Sequence, residues 1–137
     1  MDEIVWADLK QEDRDEDQVK AICDVVRQVG YAVHLYLGKG FLEKVYENAL
    51  KHRLELRGFD VQQQVAIRVQ DEDGYEIGYY EADLVVEKKI IVELKSVRAL
   101  NDAHLAQLLN YLKATKVRDG LLMNFGSERF EIRKLVF

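Results

Sequence analysis

The stretch "YYEADLVVEKKIIVELK", residues 79–95, decides the fold. Its apolar residues alternate as in a β-hairpin with one buried face, and "EKK" (87–89) supplies the tight connection. With the loop there, Asp83 lies directly across from Glu93, and Lys95 follows two residues along on the same face. The other face carries Leu84, Val86, Ile90, Val92 and Leu94, an uninterrupted core surface. A slip of one residue would scatter the three charges and spoil both faces, so the pattern sets its own register.

Charges in so apolar a setting need a reason. Two adjacent carboxylates resist ionising together unless a cation joins them. Mg²⁺ does this well, because it takes oxygen ligands and keeps several waters; Mn²⁺ is the alternative ion. A metal-bound water becomes a nucleophile at neutral pH, and a neighbouring Lys can orient it or stabilise charge building on a phosphate. That is a kit for phosphodiester hydrolysis. The plainer alternative is a cross-strand Asp83–Lys95 salt bridge with Glu93 solvated at a sheet edge. The hairpin alone leaves both open.

Outward from the hairpin, residues 61–69 alternate and "DEDG" (71–74) turns the chain into the strand 75–86; residues 90–96 form the next strand. Upstream, a helix from Asp17 carries the stripe Ile22, Val25, Val26, Val29 and Val33, and Gly38 and Gly40 end it. A second helix spans about Phe41 to Arg57, closed by Gly58. There Phe41, Leu42, Val45 and Ala49 are expected in the core, with Glu43, Tyr46 and Glu47 together on another face. Downstream, a helix over 101–115, capped by Asn101 or Asp102, turns Leu105, Leu108, Leu109 and Leu112 to the core. His104, Gln107 and Tyr111 are expected on its opposite face. Residues 120–125 and 129–137 are the last strands. The order α-α-β-β-β-α-β-β, with a right-handed strand–helix–strand crossover, gives an α/β fold around a mixed sheet.

Composition narrows the class. At 137 residues, 48% hydrophobic and 33% charged, the chain reads as one globular domain, residues 17–137, behind an acidic arm, residues 1–16, with Trp6 tucked onto the body. No apolar run reaches the roughly 18 residues of a membrane span. The acidic start lacks a secretion signal, and the single Cys23 permits no internal disulfide, so a cytoplasmic setting is expected. The net charge of −5 is misleading as a guide to partners. Residues 1–18 carry −6 and the remainder +1, which leaves room for a local basic surface. His34, His52 and His104 lack zinc-ligand spacing, and "GKG" is too short to cradle a phosphate.

Gly40, Glu43 and Tyr46 fit the pattern G-x-x-E-x-x-Y. With "EADLVV", "IIVELKSV", "HLAQLLNYLKAT" and "GLLMNFG" following in order, residues 20–137 resemble the GxxExxY proteins, a branch of the PD-(D/E)XK nuclease superfamily. The resemblance implies the nuclease core with Asp83, Glu93 and Lys95 as its acid–acid–lysine site. It also implies Glu43 as an additional helix acid beside Asp83 and Glu93 at the metal, and Gln107 with Tyr111 as accessory polar residues. Function follows as an expectation: a Mg²⁺-dependent nuclease acting on nucleic acid, DNA ahead of RNA. A binding module that keeps the fold without turnover is the alternative, and a second copy or a protein partner is left open. Two departures stand out. Lys39 replaces the family's usual Pro, and Glu81 replaces its usual Arg two residues before Asp83, adding an anion where a cation would meet phosphate.

Overall fold

A computed structural model of the chain describes Ile4, Trp6 and residues 15–137. Helix α1 (Glu16–Leu37) starts at Asp15, whose carboxylate accepts the N–H groups of Asp17 and Gln18, and ends where Gly38 takes the left-handed φ that stops it. Helix α2 (Glu43–Leu56) follows the short Gly38–Leu42 connection. Then come β1 (Val61–Gln70), β2 (Glu76–Val86), β3 (Ile90–Lys95), α3 (Asp102–Thr115), β4 (Asp119–Asn124) and β5 (Glu131–Val136). The expected order holds, and the sheet runs β1-β2-β3-β4-β5. Its β3–β4 pair is parallel and its other pairs antiparallel, so the sheet is mixed.

The sheet separates two cores. One face packs on α1 and α2 through Val26, Val33, Tyr46, Leu50, Leu84, Val92 and Leu94. The other packs on α3 through Val65, Ile67, Val85, Ile91, Leu108 and Leu112. Central strands β3 and β4 are covered on both faces and buried nearly throughout, with apolar runs at Ile90–Val92 and Leu121–Met123.

Trp6 does lie on the body. Its indole N–H donates to the Ala66 carbonyl at 3.0 Å, at the outer edge of β1, and the ring packs against the α3-side core. The rest of the arm, residues 1–3, 5 and 7–14, lies outside the described residues.

Three expectations need correction. In α2 the buried stripe is Tyr46, Glu47, Leu50 and Leu54, spaced by three and four; Phe41, Leu42 and Val45 are 49%, 81% and 39% exposed. Phe41 and Leu42 precede the first helical residue, so the helical period never applied to them. In α3 the buried stripe is Leu108, Tyr111, Leu112 and Thr115; Tyr111 therefore sits with the leucines, and Leu109 is 42% exposed. Residues 61–69 do not keep one face: Val61 belongs to the α1/α2 core and Val65 to the α3 core, although both are odd-numbered. The chain rolls over at Gln64, whose φ of 52° is left-handed. Strand β2 rolls over opposite it, since Ala82 joins the α3 core while Leu84 joins the other.

Candidate active site

That double roll opens the hairpin where the charges are. The β2–β3 ladder runs from Val86–Ile90 to Leu84–Val92, in the expected register, and stops there. In the next rung the side chains replace the ladder. The Asp83 N–H donates to Glu93 Oε1 at 2.7 Å, and Asp83 Oδ2 accepts the Leu94 N–H at 2.9 Å. The two acids are thus locked to each other's strands. Glu93 is only 4% exposed, which rules out the solvated-edge picture.

Electrostatics follow from the burial. It pushes the Asp83 carboxyl up to about 6; the Leu94 N–H opposes the rise, and the carboxylates of Glu47 and Glu43 add to it. Glu93 rises well above the usual range, first from burial and then from Asp83 beside it. Without a cation, the pair retains a proton well above the ordinary carboxylate range. Lys95, half-buried at the end of β3, draws both Glu43 and Glu93 back down. It forms no ion pair among the described residues, so the alternative Asp83–Lys95 salt bridge is absent.

Helix α2 brings its first turn to the same place. The motif tyrosine acts as a clasp rather than a polar surface group. Buried Tyr46 donates its hydroxyl to the Gly38 carbonyl at 2.6 Å and accepts the Phe41 N–H at 3.2 Å, with its ring stacked on Phe125. Gly40, at φ 115°, permits the turn that this clasp closes. Ser96, just past Lys95, donates its hydroxyl to the Phe41 carbonyl at 3.1 Å. Glu43 is thereby held over the end of β3, half-buried, its carboxyl raised by burial against the pull of Lys95.

From the other side, Tyr111 faces the acids. Burial first, and then the charges of Glu93 and Asp83, keep its hydroxyl protonated far above the ordinary range. Its ring lies 5.3 Å from that of Tyr80. Gln107, one turn earlier and half-buried, makes no hydrogen bond to this group among the described residues. His104 has a different task, closing the α3 capping box with Asn101.

Two features go beyond the sequence reading. Glu47, expected on the polar face with Glu43 and Tyr46, is a buried carboxylate. It accepts from Lys44 Nζ at 2.7 Å, from the Gln63 amide, and from the Gln64 amide at 2.9 Å. Asn124, fully buried beside Lys95 in the β3–β4 register, clasps the far end of the site: its Oδ1 accepts the N–H groups of Val97 and Gly126, each at 3.0 Å. The run "QQQ" at 62–64 was the signal for the first, since three polar residues together interrupt an alternating strand. For Asn124 the sequence offers no cue.

Among the described residues, no group of three or more His, Cys, Asp or Glu side chains is placed to hold a metal ion. The expected trio of Asp83, Glu93 and Glu43 does not close into a three-ligand cluster. What fits a divalent cation is the carboxylate pair itself. Burial first, and neighbouring carboxylates second, make the pair hard to ionise without a counter-charge, and Mg²⁺ binds through one or two carboxylates plus waters.

Residues 20–135 match the family model of the PD-(D/E)XK nuclease superfamily. The chain belongs to that superfamily. The crystal structure of SSO0001 superposes with a TM-score of 0.55 at 20% sequence identity, covering 68% of this chain and 50% of that one. At that identity it supports the fold alone, and this chain spans only half the length of that protein. No curated protein matches the chain in sequence. The superfamily core is what the opened hairpin, the flanking helices and the parallel β3–β4 pair build here. No helix of the described residues is long and apolar enough to cross a membrane.

Proposed function

We propose that this superfamily member is a metal-dependent nuclease of the GxxExxY branch, hydrolysing phosphodiester bonds, DNA ahead of RNA, at Asp83, Glu93 and Lys95. The observation that carries it is the opened hairpin, which sets half-buried Asp83 and buried Glu93, each bonded to the other's strand, next to an ammonium that neither one neutralises by contact. A structural role alone would favour a closed ion pair over that arrangement.

Bound Mg²⁺ or Mn²⁺ would supply Lewis acidity and a more acidic water. Asp83 and Glu93 would hold it, with Glu43 facing the same space from α2. Lys95 would orient the attacking water and stabilise charge building on the phosphate oxygens. Tyr111, kept protonated, serves as a hydrogen-bond donor to that charge, and the Gln107 amide beside it is a further donor.

One observation favours the alternative, a nucleic-acid- or protein-binding module without turnover. Glu81 accepts the Tyr79 hydroxyl at 3.1 Å and puts an anion where the family resemblance implies Arg. The deciding experiment incubates the protein with single- and double-stranded DNA and RNA in Mg²⁺ or Mn²⁺, with Asp83→Asn and Glu93→Gln as controls. Cleavage lost in both variants supports the nuclease; binding without cleavage by wild type supports the module.

A further inference from the structure

We propose that Gln64 is a positioning residue of this site, holding the Asp83 carboxylate in place from a left-handed kink in β1; the use made of Asp83 rests on the nuclease reading. Four non-glycine residues among those described have positive φ. Glu87 and Lys88 lie in the β2–β3 turn and Lys116 caps α3, where chain reversal accounts for them. Gln64 alone lies inside a strand. Such a conformation is costly for a residue with a side chain and persists where the surroundings over-determine it.

The kink has a chemical consequence. It carries the Gln64 amide to the gap between α2 and the opened hairpin, where Nε2 donates to Glu47 Oε1 at 2.9 Å and to Asp83 Oδ1 at 3.4 Å. Asp83 Oδ2 is held by the Leu94 N–H, so the carboxylate is fixed at both oxygens from opposite sides. Glu47 cannot drift and release the amide, because Lys44 and Gln63 hold its other oxygen. The chain of contacts Lys44–Glu47–Gln64–Asp83 therefore transmits the position of α2 to the acid pair. Removing the amide leaves Asp83 free to pivot about its bond to Leu94.

The test uses the full chain carrying Gln64→Met, which keeps length but has no donor, and Gln64→Gly, which relieves the backbone. Amide exchange in the metal-free protein reads the Asp83–Leu94 bond directly. Leu94 is expected to exchange about tenfold or more faster in both variants while Val92 is unchanged. Calorimetry with Mn²⁺ alone is expected to show roughly ten- to a hundredfold weaker binding, as for lost outer-shell partners of metal ligands. Unchanged Leu94 exchange in both variants overturns the proposal, and so does equal acceleration at Val92, which would make Gln64 merely structural. Faster Leu94 exchange in a protein whose wild type binds no Mn²⁺ upholds the positioning role and overturns the nuclease reading instead.

Discussion

Asp83 and Glu93 meet one rung beyond the last backbone pair of β2 and β3, and each is bonded to the other's strand, at 2.7 Å from the Asp83 N–H and 2.9 Å from the Leu94 N–H. The carboxylates do there what main-chain carbonyls do in the rest of the ladder. This keeps the two acids together without a cation, and it makes both hard to ionise. Stability, metal affinity and catalysis are all tied to that one rung.

Stability should fall as pH rises. The folded Asp83 value, about 6, lies above its ordinary 3.8, so the contribution is fully present below about 3.8 and lost as pH rises through about 6. At about 1.4 kcal/mol per pH unit the loss is at most about 3 kcal/mol, with Glu93 acting in the same direction. Urea melts of metal-free protein at pH 4 and pH 7.5 should show it, and Asp83→Asn should flatten the dependence. Identical pH dependence in wild type and variant would contradict the buried pair.

A cation should take the place of that proton. Calorimetry should find one main Mn²⁺ or Mg²⁺ site, abolished by Asp83→Asn or Glu93→Gln and weakening as pH drops below about 6. Undiminished affinity in both variants would place the metal elsewhere.

Lys95 forms no ion pair among the described residues. Lys95→Ala should therefore fold and still bind metal and nucleic acid, while cleaving at least about a hundredfold more slowly, because it stabilises charge present mainly in the transition state. Wild-type turnover in the variant would remove the nuclease assignment from this site.

Tyr46→Phe tests the clasp at the start of α2. The ring and its stacking on Phe125 remain, but the bonds to Gly38 and Phe41 are lost, at a cost of about 1–2 kcal/mol in unfolding free energy. Metal affinity should stay near wild type while turnover falls, since Glu43 loses its fixed position over β3. A variant with full turnover would reduce the motif tyrosine to core packing.

At the N-terminus, Trp6→Phe should cost about 1 kcal/mol by breaking the bond to the Ala66 carbonyl. Asp15→Ala should cost about as much by uncapping α1. Thermal melts unchanged in both would show that residues before α1 contribute nothing to the fold.

The sequence by itself determined the element order, the parallel crossover and the register that sets Asp83 against Glu93. These follow from period-two alternation, helical spacing and turn residues, all properties of short lengths of chain. Only the tertiary structure decided which way several residues face. Tyr111 turned inward because α3 is buried through Leu108 and Leu112, and Tyr46 because its ring meets Phe125, distant in the chain and just past β4. The roll at Gln64, which opens the hairpin and brings Glu47 to Asp83, breaks the local rule of alternation. Backbone strain of that kind is sustained by contacts between residues far apart in the chain, so no short window of sequence carries it.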